Sequence, residues 1–512
     1  MTPWKSCVAW LALVGCYDPA KPPPRASSLG ESLVIPSDHD LGIEIEEALI
    51  RKRRADLERA IEAREPGEQL EHATLSQVAI DRDVFTLDDM FQRGDDLFAY
   101  SFRPEDGLGN SLADHAGIPA GPLPRPNLRR VHQSGFGGPD AMSCGECHAQ
   151  GGDDGAGTAS QVTAFRGDGE AMSSADLRNA PAVLGLGPID RLAAEMSKEL
   201  GEQRAAAIAM AATLGSNATL ALTTKGIAFG MITARPDGTV DSSQIAGVDA
   251  DLVVKPFGWK GHQATLRSMI QESFRVHLGI VSMAAQQQVR DGLVDGAELG
   301  DGVWFDIDAD GVNIEVEDGM VSTMVAYLSQ LEVPIVQPPT DQAMLDRFGR
   351  GGAVFAQLGC TSCHTPALRL VDPILVTRPE QTENAASRAV SIDVARNGPG
   401  PKIKPIDLPG SAFDVQLFSD LKRHDLGAGL AAPFDQGSIP ARSWLTRPLW
   451  GLADTGPYLH DGRAPTIDDA IRAHGGEAQA TTDAYLALPE PDQSALRVYL
   501  GSLARVRRVV AP

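Results

Sequence analysis

Cys144-Gly145-Glu146-Cys147-His148 and Cys360-Thr361-Ser362-Cys363-His364 each hold two thiols with two residues between them and an imidazole directly after the second. That spacing suits covalent attachment of a c-type haem. Each thiol adds across one vinyl group of the porphyrin. The short turn brings both thiols to one ring edge, and the histidine lies under the iron as proximal ligand. A redox Cys-x-x-Cys pair or half of a zinc site shares the spacing. The cysteine count argues against both, because four of the six cysteines sit in these two motifs and the others, Cys7 and Cys16, lie near the start. Two covalently bound c-type haems are therefore expected. Cys144, Cys147, Cys360 and Cys363 would hold them, with His148 and His364 on the irons.

A second constellation is Asp306, Asp308, Asp310 and Glu317, which fit Asp-x-Asp-x-Asp-Gly-x5-Glu with Gly311 at the turn. Closely spaced carboxylates on a tight loop suit calcium, a hard cation. The plain alternative is an acidic turn. No helix is evident before Trp304, so the expectation is a calcium loop rather than an EF-hand domain.

The elements that must position these residues follow from pattern and composition. A chain of 512 residues holds two or three domains, each able to bury a core. The formal charge of −23 disfavours nucleic acid and favours neutral or basic partners. Aromatic residues make up only 5% of the chain, so haem faces must supply part of the packing. No run of 18 apolar residues follows the N-terminus to span a membrane. Residues 8–14 are apolar after a start with one positive charge, as in a secretory signal. Leu13-Val14-Gly15-Cys16 also resembles a bacterial lipobox, in which Cys16 becomes the lipidated first residue. A plain cleaved signal with Cys16 as bystander is the alternative. Export agrees with haem attachment, which bacteria carry out beyond the cytoplasm.

The domain expectation is thus a signal over 1–16, a tether and charged helix over 17–80, a first haem domain over 81–338 and a second over 339–512. Thr86 with Asp89 reads as a capping box at the start of a helix. A Gly- and Pro-rich stretch, 102–138, reads as a loop wrapping the first haem. Helices are expected over 189–214, 265–277, 320–331 and 341–358. Short strands around Pro236-Asp237-Gly238 are expected over 218–254. The proline-rich run 333–339 marks the boundary. The fold class is mainly α: two cytochrome c-like haem domains with a small β insertion in the first. An internal repeat supports two related halves. Trp259-Lys-Gly261-His-Gln-Ala-Thr265 parallels His460-Asp-Gly462-Arg-Ala-Pro-Thr466, and residues 178–186 parallel 446–452.

These segments, with 257–279, 359–366, 418–427 and 447–477, resemble the bacterial di-haem oxidoreductase and peroxidase family, relatives of the di-haem cytochrome c peroxidases. The resemblance runs from about residue 107 to the C-terminus and leaves 1–90 uncovered. It implies one haem that collects electrons from a small donor protein and another that binds peroxide. By position in the Trp-x-Gly segment, Trp259 resembles the tryptophan that carries electrons between the haems; core packing is the other reading. Related enzymes that mature methylamine dehydrogenase oxidise residues of a partner protein instead.

For the second iron, the usual alternative to histidine as distal ligand is methionine. All 12 methionines lie at or before Met344, so none follows the second motif. Of His424, His460 and His474, the last sits on a helix where the peroxidases carry their methionine, and it is the expected ligand. His460 and His424 are read as anchors for loops or haem propionates. Around the first haem, Met269 and His277 take the places of the family's glutamine and distal glutamate, with His262 in the preceding turn. His277 is an acid–base group, an iron ligand or a packed structural residue. The leading function is a periplasm-facing, lipid-anchored di-haem peroxidase, with hydrogen peroxide as oxidant and a cytochrome c or cupredoxin as electron donor. Electron transfer without peroxide chemistry, oxidation of a partner protein's side chain, and haem-based sensing remain alternatives.

Overall fold

Thr86 opens the first long helix through a reciprocal cap. Its Oγ accepts from the Asp89 amide at 3.1 Å, and Asp89 Oδ2 accepts from the Thr86 amide at 2.9 Å. The computed structural model describes residues 75–103, 106–108, 140–158, 162–165, 172–280, 282, 315–334, 336–379, 389–398, 404–405 and 412–505. Cys7, Cys16, nearly all of the tether and charged helix expected over 17–80, most of the 102–138 loop, and Asp306, Asp308 and Asp310 lie outside them.

Ten helices appear among the described residues: α1 (Gln77–Asp81), α2 (Leu87–Ala99), α3 (Cys144–Cys147), α4 (Leu186–Leu214), α5 (Leu266–Ser273), α6 (Asp318–Ser329), α7 (Gln342–Gln357), α8 (Ile467–Ala473), α9 (Gln479–Leu486) and α10 (Glu490–Gly501). α2 crosses α6 closely. A Cβ on Gly94 would come within 2.4 Å of Tyr327 Cβ, so glycine is required there. Phe91 and Phe98 of α2 pack on the Tyr327 ring at 5.2 and 5.6 Å. The Tyr327 hydroxyl in turn donates to Asp154 at 2.7 Å, in the loop after the first cysteine motif. No described helix is long and apolar enough to cross a membrane.

The expected β insertion is present. β1 (Val162–Phe165) pairs with β2 (Asp176–Asn179). β3 (Ala218–Thr224), β4 (Ile227–Ala234) and β5 (Val240–Asp241) form an antiparallel sheet in that order. Phe229, Ile232 and Ala234 are buried while Ala228 and Met231 are exposed, as a one-faced sheet requires. This sheet packs on α4, whose Leu192, Met196 and Leu200 are fully buried.

The second half carries more strand than its sequence pattern indicates. β6 (Leu368–Leu370), β10 (Phe413–Val415) and β9 (Lys404–Pro405) form one sheet. β7 (Ile374–Thr377) pairs with β8 (Val390–Asp393), and β11 (Arg423–Asp425) with β12 (Ser443–Leu445). Leu368 and Leu370 are buried with exposed Arg369 between them, the period of a strand over too few residues to stand out in sequence. The largest apolar core draws on both sides of residue 338, joining Leu192 and Tyr327 to Leu370, Ile392 and Val415. A smaller core of Phe355, Phe418, Tyr485 and Leu496 ties α7 to α9 and α10.

The repeat read in the sequence is a repeat of backbone. Phe257 bridges Gln263 as Tyr458 bridges Ala464. Gly258 and Leu459 both have positive φ (74° and 72°), as do Gly261 and Gly462 (60° and 70°). Thr265 and Thr466 then cap α5 and α8, each hydroxyl accepting from the amide three residues on at 3.1 Å. Every pair sits at one constant offset along the chain. The two turns are also strapped crosswise. The amide of Asn179, last residue of β2, donates to His460 O at 2.6 Å; that of Leu445, last of β12, donates to Trp259 O at 3.1 Å.

Candidate functional site

α7 ends at Leu358, and Gly359 turns the chain with φ +81° into a single 3-10 turn, Cys360–Ser362. Cys360, Cys363 and His364 thereby face a cavity of about 300 Å³. Its wall is mostly apolar, with Phe355, Leu430, Leu449, Ile471 and Leu500 among the lining residues. That volume lies at the lower end of the range for sites that bury a cofactor-sized group. Burial pushes the Cys360 thiol up to about 11, opposite to the activated thiol that a redox pair needs.

The histidines are held in a common manner. His364 Nδ1 donates to Phe418 O at 3.0 Å, and His474 Nδ1, at the end of α8, donates to Ala470 O at 2.7 Å. In the other half His148 Nδ1 donates to Gly155 O at 3.2 Å. A carbonyl only accepts, so each ring carries its proton on Nδ1 and its lone pair on Nε2. Burial holds His148 and His364 down at about 4 and lowers His474 as well, so all three are neutral at pH 7. Neutral imidazoles oriented through Nδ1 are what iron ligation requires. His364 and His474 share the cavity.

The two remaining histidines of this half, His424 and His460, also line the cavity but are held by other groups. His424 lies 2.8 Å from Asp420 and 2.8 Å from Glu477, one carboxylate on each ring nitrogen. Burial opposes its charge, but hydrogen bonds to Asp420 and Cys363 outweigh burial and lift it to about 11. Cys363, Asp420 and His424 are close enough to share a metal ion. His424 is a loop anchor between β11 and Glu477. His460 stacks on Trp444 at 3.9 Å and 21°, while Lys260 Nζ covers the Trp444 ring at 3.7 Å. Burial pushes His460 down to about 3, so it packs as a neutral ring.

The first motif forms the one-turn helix α3. The Ser143 hydroxyl caps it by accepting from the Glu146 amide at 3.2 Å. Phe98 packs on His148 at 5.9 Å. His277 sits in a π-helical turn, Phe274–Leu278, that continues α5. Such turns displace side chains from the helical register and recur at functional sites. His277 Nδ1 lies 3.1 Å from Asp140 Oδ2 and 3.3 Å from Thr163 Oγ. The Asp140 carboxylate is almost fully buried. His262 instead pairs with Glu272 at 2.6 Å.

Trp259 lies in the wall of the cavity that holds the second motif, as does Ala156 of the loop beside His148. Its indole N–H donates to Asn179 O at 2.6 Å. Asn179 Nδ2 also ties the 150–157 loop to the second half, through Gly157 O at 3.0 Å and Pro457 O at 3.4 Å. Glu317 is exposed at the head of α6 and makes no capping bond there.

Several cavity residues escaped the sequence reading. The Arg447 guanidinium lines the cavity over Trp259, 5.5 Å from the ring, with no hydrogen bond or carboxylate among the described residues. Burial lowers it to about 10, still charged at pH 7. Asn179 Oδ1 is buried and unpaired in the same wall. An unmatched cation in an apolar cavity is costly unless an anion enters with the ligand. A haem carries two carboxylates on an otherwise apolar disc. The thiols, the neutral imidazoles, the apolar wall and the unmatched Arg447 therefore fit that group. The one available sequence signal was that Arg447-Pro448 falls in the repeated segment.

Residues 404–503 match the family described as "Di-haem oxidoreductase, putative peroxidase". No curated protein matches the chain. Among solved structures, the chain is similar to hydrazine synthase of Kuenenia stuttgartiensis, at 19% identity over 36% of this chain and with a TM-score of 0.22. It spans 55% of the length of that chain. It is also similar to a MauG-like protein associated with microbial copper homeostasis, at 13% identity over 54% of this chain and 79% of that one, with a TM-score of 0.27.

Proposed function

We propose that this chain is a c-type di-haem oxidoreductase that reduces hydrogen peroxide. The observation that carries the reading is the cavity in which Cys360, Cys363 and His364 meet His474, the last of which lies within the stretch 404–503 matched to the di-haem family. In this reading Cys144 and Cys147 bind the first haem and Cys360 and Cys363 the second, in two cytochrome c-like domains. His148 would hold the first iron, and His364 and His474 the second. Bound there, the two irons supply one-electron redox chemistry.

The chain's own residues do the rest. The neutral Nε2 atoms of His148, His364 and His474 offer lone pairs without having to lose a proton. The apolar wall keeps water from the second ring. His277, oriented through Nδ1 by Asp140, moves the proton at Nε2: it takes one from the near oxygen of peroxide and returns it to the leaving oxygen. Each peroxide consumes two electrons and two protons and yields two waters. Electrons come singly from a small donor protein such as a cytochrome c or cupredoxin. Trp259 lies on the path between the two motifs. Export, a lipid anchor at Cys16, a periplasm-facing location, and calcium at Asp306, Asp308, Asp310 and Glu317 belong to the same proposal.

The test of the reading is the cofactor itself. A denaturing gel stained for haem is expected to be positive, and the pyridine haemochrome to show two c-type haems per chain. Haem that leaves in acidic organic solvent would sink the reading. A finer expectation concerns Arg447. Removing a positive charge beside a haem favours the more positive ferric state. In Arg447→Gln one midpoint potential is expected to fall while both haems stay attached, and Arg447→Lys to retain most of the wild-type value. Equal midpoints in all three proteins would remove Arg447 from the site.

A further inference from the structure

The backbone repeat aligns more than turns. Counting on from the capping threonines at the constant offset, Met269 corresponds to Ala470 and Ser273 to His474. The correspondence extends to side-chain bonding. Ser273 Oγ donates to Met269 O at 2.8 Å, as His474 Nδ1 donates to Ala470 O at 2.7 Å. The φ angles at the two positions, −63° and −66°, set their Cα–Cβ bonds alike on α5 and α8. A serine bonding back to the carbonyl four residues before it is common in helices by itself. Here it follows the bridged turn, the two positive-φ pairs and the capping threonines, all in register.

We infer that Ser273 stands at the first haem where His474 stands at the second, and that this position leaves the first iron without a protein ligand. This rests on the two-haem reading above. A serine hydroxyl is not among the side chains that hold haem iron, whereas imidazole is. One position of the repeat thus divides the labour of the two halves: histidine closes one iron and serine leaves the other to an incoming oxygen ligand. His277 lies beyond this position, displaced by the π-helical turn and held by Asp140 and Thr163, which suits a group that serves the open face rather than filling it.

The experiment places histidine in the vacant role. Ser273→His, purified with both haems, is expected to lose the high-spin ferric signal of the wild-type protein and show two low-spin haems. It should also lose the cyanide binding expected at one haem of the wild type. Ser273→Ala is expected to keep the high-spin signal, since the hydroxyl is not a ligand. An unchanged high-spin signal and unchanged cyanide binding in Ser273→His, with two haems present by haemochrome, would overturn the assignment. So would a resting wild-type protein with two low-spin haems, a measurement that needs no variant. If Ser273→His does not fold, Ser273→Met carries the same expectation through a thioether ligand. A wild-type chain without two c-type haems would instead overturn the reading beneath.

Discussion

His277→Ala slows the oxidation of the reduced protein by hydrogen peroxide by about 10²–10⁴-fold at neutral pH, the range for loss of a positioned general acid–base group. The expectation comes from how the imidazole is held. Asp140, almost fully buried, faces Nδ1, which fixes the tautomer and leaves proton traffic to Nε2. Stopped-flow measurement of the peroxide step in wild type and variant decides it. His277→Ala is expected to keep the wild-type spin state if His277 serves as the acid–base group. A faster reaction together with a shift from low to high spin would mean that the imidazole had closed the iron. Unchanged spectrum and kinetics would return His277 to a packing role.

His474→Ala converts the second haem from low to high spin. His474 is neutral, oriented through Ala470 O, and shares a cavity with His364. Removing it takes away the lone pair opposite the proximal ligand. His474→Met keeps a ligand but replaces imidazole by thioether, and raises that haem's midpoint potential. Low-temperature electron paramagnetic resonance reads the first change and a redox titration the second. If neither moves, the second iron has another partner.

Local signals were legible from sequence. Thr86 with Asp89, Thr265 with its helix, and the two matched turns all act over a few residues, where capping chemistry and glycine conformations are determined nearby. The motif cysteines and histidines stand out in the sequence because their spacing is fixed within five residues, and the structure places Cys360, Cys363 and His364 on one cavity wall. Asn179, Arg447 and Asp140 were not, because their roles depend on distant partners. Trp259 is 80 residues from Asn179, and Pro457 is 278 residues from it. No periodicity reaches that far. The strands of the second half were missed for the opposite reason. Two to four residues each, they are too short to beat a helical prior, and only pairing makes them strands.

The crosswise strapping of the two turns bears on how the protein is made. A chain emerges N-terminus first, and its domains fold as they appear. The turn at Trp259 is synthesised early, but its carbonyl waits for the amide of Leu445, and the turn at His460 takes its amide from Asn179, made long before. Residues 178–280 therefore remain half-finished until nearly the whole chain is out. The second motif can be complete as sequence while its pocket still lacks a wall. Either half expressed alone should stay unfinished, with its apolar wall open to solvent and to aggregation.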